Sequence, residues 1–155
     1  MKNPNIQIEE RPKLRAKSAN LEHKLQAKCV TWFGQQFPER RGQLVAYFAE
    51  TMNERDGGIK TALGLQPNIS DLLLVNGGEL WGIEMKHAGT DHVTSHISGQ
   101  AKWLLSVPKR GFFCDDFEDF KSIINTGTGG ISPQLVLNNL KGITTQSVSW
   151  EKIRN

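Results

Sequence analysis

Cysteine is nearly absent from this 155-residue chain. Its two cysteines, Cys29 and Cys114, lie far apart and without metal-ligand spacing, which excludes a disulfide scaffold and leaves two buried thiols. Long hydrophobic runs are missing too: no apolar stretch approaches the ~20 residues of a membrane span. Met1-Lys2-Asn3-Pro4-Asn5 leads into charged sequence rather than an apolar signal segment, so cytoplasmic residence is the expectation. There is no internal repeat and no long low-complexity tract. With 37% hydrophobic and 23% charged residues, the composition is that of a soluble globular protein. The length suits one domain with a real core.

The net charge of +3 and pI near 9.0 bias the chain towards polyanionic partners. The bias is local. Residues 1–28 carry Lys2, Arg11, Lys13, Arg15, Lys17, Lys24 and Lys28 against Glu9, Glu10 and Glu22. Residues 1–17 lack apolar periodicity and read as a basic, flexible, extended arm. Such an arm suits a phosphate backbone, with a solvated leader as the alternative.

What the chain does have is a hairpin with chemistry on it. Ser70-Asp71-Leu72-Leu73-Leu74-Val75 and Leu80-Trp81-Gly82-Ile83-Glu84-Met85-Lys86 read as strands joined by Asn76-Gly77-Gly78. Strand side chains alternate faces, so Glu84 and Lys86 point the same way. Asp71 opens the first strand, and the hairpin can bring its carboxylate to that side. Two carboxylates and an ammonium on a half-buried apolar sheet are costly unless compensated. A divalent cation on the carboxylates, with the lysine beside an attacking water, accounts for all three and points to a metal-dependent phosphodiesterase.

Around the hairpin the pattern predicts a helix from Ser18, with Leu21, Leu25, Cys29 and Trp32/Phe33 at helical spacing, ended by Gly34 or Pro38. Glu22 and Gln26 share one of its faces. Gln43–Ala49 has strand composition, and Ile59–Leu65 reads as a short helix closed by Gly64. His87–Val93 reads as a loop. Ser95 is the expected cap of a helix carrying Ile97, Ala101, Leu104 and Leu105 and stopped by Pro108. Gly111–Cys114 is a short buried strand, and Asp115-Asp116 opens a helix with Phe117, Phe120, Ile123 and Ile124. After Thr126–Gly130 the expected elements are a helix at Pro133–Leu140 and a strand near Thr144–Trp150. The order describes an α/β fold with a mixed central sheet flanked by helices.

Several stretches, taken in order, carry a resemblance: Leu21–Gln26, Gly64–Leu74, Gly82–Lys86, Ser98–Leu104 and Lys109–Phe112. Singly they are weak; together they resemble the PD-(D/E)xK nuclease superfamily, and within it the virus-type replication-repair nuclease (VRR-NUC) branch, over roughly residues 20–124. The proline that often precedes the first catalytic acid is Ser70 here. The resemblance implies a restriction-endonuclease-like core in a nuclease domain at 18–124, with the arm at 1–17 before it and a C-terminal extension at 125–155. It implies a Mg²⁺-dependent endonuclease, with Mn²⁺ as substitute, that acts on DNA. Stand-alone members of this branch resemble Holliday-junction resolvases and pair as dimers. Branched DNA is therefore the expected substrate and a homodimer the expected state, with Ile131, Leu135, Val136, Leu137, Leu140, Ile143, Val148 and Trp150 of the extension at its interface. Two other readings stay open: a catalytically silent nucleic-acid-binding module, and a restriction-type nuclease on linear duplex.

The expected metal ligands are Asp71, Glu84, the Met85 backbone carbonyl (implied by the resemblance) and Glu22, directly or through water. Oxygen-only ligands suit Mg²⁺ or Mn²⁺. Lys86 would orient the attacking water and neutralise the pentavalent state, and Gln100 would hydrogen-bond the scissile phosphate or Lys86. Lys102, Lys109 and Arg110 read as surface charges before phosphate contacts. His87 is placed for a phosphate contact. His92 and His96 have helix-compatible zinc spacing, but Thr94-Ser95 looks like a helix start between them and no paired cysteine set exists. Trp32, Trp81 and Trp103 read as core; Trp150 has no obvious place.

Overall fold

A computed structural model describes residues 6–48 and 62–155, the side chains from Asn20 onward. The elements are α1 (Ile6–Gln36), a 3-10 turn (Pro38–Gln43), β1 (Leu44–Ala46), β2 (Leu72–Asn76), β3 (Glu79–Met85), β4 (Asp91–Val93), α2 (Thr94–Ser106), β5 (Arg110–Cys114), α3 (Phe117–Thr126), α4 (Pro133–Leu140), β6 (Ser147–Ser149) and α5 (Trp150–Ile153). Together they form a mixed α/β fold around a central sheet of order β1-β2-β3-β5. β1/β2 and β2/β3 are antiparallel, β3/β5 is parallel, and α2 makes the crossover. β4 and β6 form a separate antiparallel pair. Among the described residues, no helix is long and apolar enough to cross a membrane.

The β2–β3 hairpin turns on Gly77 and Gly78 alone, both at positive φ (59° and 83°), the conformation a two-residue hairpin loop demands. Alternation then sorts the strands. Leu72, Leu74, Trp81, Ile83, Met85 and Cys114 face one core with Cys29 and Phe33 of α1 and Phe120, Ile123 and Ile124 of α3. Trp32 joins it through edge-on contacts with Phe37, Phe117 and Phe120. On the other face, Phe113 packs with Ile97, Ala101 and Leu104 of α2 and with the chain beyond Gly130. Asp116 caps α3 by accepting from the Glu118 and Asp119 N–H groups, and Gly127 ends that helix at φ 69°.

Five expectations need correction. Residues 6–17, expected as an extended arm, belong to α1; they lack an apolar stripe and contain Pro12, but half of them are helix-forming Glu, Lys and Arg, and periodicity alone passes over such a helix. Within the expected loop His87–Val93, Asp91–Val93 is a strand, because β6 returns to pair with it. The helix after it starts at Thr94, without a Ser95 cap. The apolar residues assigned to a dimer interface are largely used inside the subunit: Ile131, Val136, Leu140, Val148 and Trp150 are all buried in the second core. Ile131 also pairs with Phe113 through both backbone hydrogen bonds, adding one residue beyond β5. β1 is shorter than the expected Gln43–Ala49. Residues 59–61 of the helix expected at Ile59–Leu65 lie outside the described residues.

Candidate metal and phosphate site

Side chains from three directions meet at the C-terminal end of β3. Glu84 emerges on the α2 face of the sheet, opposite Phe113 of β5. Lys86 follows β3 and stays in line with it because its N–H donates to Cys114 O at 2.9 Å. Its Nζ lies 2.7 Å from Glu84 Oε1. Asp71 enters from the start of β2: its N–H donates to Glu84 Oε2 at 3.2 Å, and its Oδ2 accepts from the Met85 N–H at 2.9 Å. Gln100 reaches down from α2 and donates Nε2–H to Glu84 Oε1. Glu84, Lys86 and Gln100 are buried.

Two glycines bring α2 this close. A Cβ on Gly82 would stand 2.8 Å from the Trp103 ring and 3.0 Å from Leu104 Cδ2, and one on Gly111 would run into the Leu104 carbonyl. Ser70, in the position where the resemblance leads one to expect proline, is fully buried and donates its hydroxyl to Leu72 O at 2.9 Å.

Burial alone would lower the Lys86 pKa, but the attraction of Glu84, then Glu22 and Asp71, outweighs it and holds the ammonium charged. Burial pushes the Glu84 carboxyl up; Lys86 pulls it back, and the nearby Glu22 adds to the rise.

His92 of β4 stands beside Glu22, Nε2 to Oε1 3.5 Å. Burial, followed by Lys86 and His96, pushes its pKa down to about 3. The contact with Glu22 is therefore between a carboxylate and a neutral imidazole, although its distance alone would pass for an ion pair.

Among the described residues, no group of three or more His, Cys, Asp and Glu side chains is arranged to hold a metal ion where its atoms stand. The donor chemistry nevertheless fits a hard divalent cation. Asp71, Glu84 and Glu22 offer only oxygen, and the buried Gln100 Oε1 has no hydrogen-bond partner.

The structure thus brings together Asp71, Glu84, Lys86 and Gln100, with Glu22 at their side, and the Met85 side chain packs in the core behind them. Other candidates are elsewhere. Lys102 and Lys109 are exposed, and Arg110 donates to Gly127 O at 3.0 Å while its guanidinium lies over the Trp81 ring. His87 turns its ring to Ala88 O. His92 and His96 fall on a strand and a helix, so their spacing is not that of one helix face. Sequence reasoning missed the grouping of His92 with Glu22, which depends on β4 pairing with the distant β6, His92 opposite Val148.

Compared with known proteins, the chain matches no family model, no curated protein and no solved structure at a significant level.

Proposed function

We propose that this protein is a Mg²⁺- or Mn²⁺-dependent endonuclease that hydrolyses DNA phosphodiester bonds, with a restriction-endonuclease-like core of the VRR-NUC kind and branched DNA as its substrate. One observation carries the reading: the Asp71, Glu84 and Glu22 carboxyl groups all act on the buried Lys86 ammonium at the end of a parallel strand pair. Asp71, Glu84 and Glu22 would hold the cation, together with the Met85 carbonyl. A cation bound there supplies Lewis acidity to the phosphoryl group.

The chain's own groups do the rest. Lys86, kept charged, faces the negative charge that grows on the pentavalent phosphorus. Gln100 uses its N–H on Glu84 and presents Oε1 as an acceptor, a geometry suited to orienting a water rather than a phosphate oxygen, which has no proton to give. This modifies the expectation that Gln100 touches the scissile phosphate. The expected contact with Lys86 is replaced by one with Glu84, which both residues share.

The test is cleavage of four-way junctions, flaps and linear duplex by the purified protein, with and without EDTA. Metal-dependent cutting of the junction or flap supports the reading. Cutting of linear duplex at a fixed sequence would make it a restriction-type enzyme. Binding with no cutting of any substrate would leave a silent nucleic-acid module, a reading favoured by the way both Glu84 oxygens are engaged within the protein.

A further inference from the structure

We propose that Asn68 is a substrate contact: its side-chain amide donates to a phosphate oxygen of the DNA strand beside the scissile bond. The inference rests on the nuclease reading of the site. Asn68 lies just ahead of Ser70 and Asp71, and its half-buried side chain rests on Gly99 of α2, the neighbour of Gln100. A Cβ built on Gly99 would stand 2.6 Å from Asn68 Nδ2 and 2.9 Å from its Oδ1. The backbone at Asn68 has φ 65°, and among the described residues no other non-glycine residue has a positive φ. Asparagine usually enters that region with its side chain hydrogen-bonded to nearby backbone. Here the amide makes no hydrogen bond to any described residue.

The segment is fixed from its other side as well. The Tyr47 hydroxyl donates to Gln66 O and accepts from the Gln66 N–H, both at 3.1 Å. The Tyr47 N–H donates to Asp71 O at 2.9 Å. One residue thus ties down both ends of the segment 66–71, and α2 backs its middle. An unused amide on a strained backbone, held this firmly, is a group kept ready for something outside the protein. Its surroundings name the chemistry. Ser95, Gly99 and Lys102 recur at helical spacing on one face of α2, and Ser95 and Lys102 are exposed. An anion fits beside that lysine. A phosphodiester oxygen only accepts, and Asn68 offers the N–H it needs. Gln100, next along α2, presents the opposite atom, an acceptor for water.

Fluorescence anisotropy of a labelled four-way junction with the full-length protein in EDTA reads binding without turnover. Asn68→Gly keeps the positive φ and deletes the amide; it should weaken binding about tenfold, as losing a hydrogen bond to a charged group does. The factor should be the same at every salt concentration, because a neutral donor displaces no counterion. Asn68→Asp, the same shape with an oxygen in place of the donor, should weaken binding further. Gly99→Ala pushes the amide aside and should cost as much as Asn68→Gly, yet add nothing to it, since a glycine at 68 leaves room for the methyl. If the glycine variant at 68 does not fold, Gly99→Ala carries the test alone. Urea midpoints separate a lost contact from damage to the fold. Wild-type affinity in Asn68→Gly overturns this inference, and metal-dependent cutting by the wild type then leaves the nuclease reading standing. A loss confined to Asn68→Asp overturns it too, since an added carboxylate repels DNA without any contact. So do additive losses from Asn68→Gly and Gly99→Ala. Weakened binding by the variants of a wild type that cuts no substrate keeps the contact and overturns the nuclease reading. No DNA binding by the wild type overturns both.

Discussion

Lys86 Nζ sits 2.7 Å from Glu84 Oε1, and each side chain is only 3% exposed. A buried pair of this kind is weak as a source of stability, but removing one partner leaves a charge with nothing to solvate it, at a cost of about 3–5 kcal/mol. The pair thus ties the chemistry of the site to the integrity of the fold.

Glu84→Ala is expected to lower stability towards urea by about 3 kcal/mol or more, because Lys86 stays buried. Loss of cutting in that variant could not be assigned to metal binding alone. Asp71→Asn separates the two effects. Its side-chain carbonyl still accepts from the Met85 N–H while the charge disappears. It should unfold near the wild-type urea midpoint, bind DNA and show no metal-dependent cleavage. Wild-type cleavage by this variant would remove Asp71 from the site.

Lys86→Met takes away the ammonium that Glu84, Glu22 and Asp71 all attract. Without metal its melting temperature should fall well below that of the wild type. Adding Mg²⁺ should raise the melting temperature of the variant more than that of the wild type, since the cation then relieves repulsion that Lys86 otherwise relieves. Equal shifts for both proteins would show that the cation binds away from Lys86.

Gly111 and Gly82 set the distance from α2 to the sheet, and with it the reach of Gln100. An alanine methyl at 111 meets the Leu104 carbonyl, which cannot move without moving the helix; at 82 it meets the Trp103 and Leu104 side chains and the Ser70 hydroxyl. Both substitutions should destabilise, by about 1–3 kcal/mol for overpacking and more at Gly111. Urea denaturation gives the order, and a smaller cost at Gly111 would contradict the packing described.

The two thiols are buried in the first core. Burial pushes Cys29 up to about 12 and Cys114 up as well. Between the ordinary thiol pKa and these raised values the native state holds protons that the unfolded chain has released. Stability should therefore be intact below about pH 8.5 and fall as the pH rises further. At pH 8 a disulfide reagent should label neither cysteine until urea unfolds the protein. Rapid labelling of native protein would show that the core opens.

The hairpin and its charges were legible because both follow from period-two alternation and a Gly-Gly turn, which act over a few residues. Asp71, Glu84 and Lys86 come together through a hairpin register that such a turn dictates. Pro133–Leu140 was legible to the residue because a proline opens it and its apolar spacing is helical. What could not be read depends on distant pairings. β4 is a strand only because β6 lies beside it, and His92 meets Glu22 only because that pairing fixes the ring. The extension was misread because eight scattered apolar residues look insufficient for a core. All but the exposed Leu135 complete one that α2 and Phe113 have already begun.

Trp150 shows what the extension does. Its ring is fully buried, 5.3 Å from that of Phe113, and its Nε1–H donates to Asp115 Oδ2 at 2.7 Å. Arg154 closes on the same carboxylate from the next turn. A residue at a dimer interface would affect association; this one is expected to affect folding. Trp150→Ala should cost about 3–5 kcal/mol, chiefly through the cavity, since Arg154 still donates to Asp115. It should leave the mass measured by light scattering unchanged for whatever protein remains folded. Arg154→Ala, at the half-exposed end of the pair, should cost far less. A homodimer, if light scattering finds one, should therefore not depend on the Trp150 side chain, and Trp150→Ala should not dissociate it. Dissociation without loss of stability would return the extension to the interface.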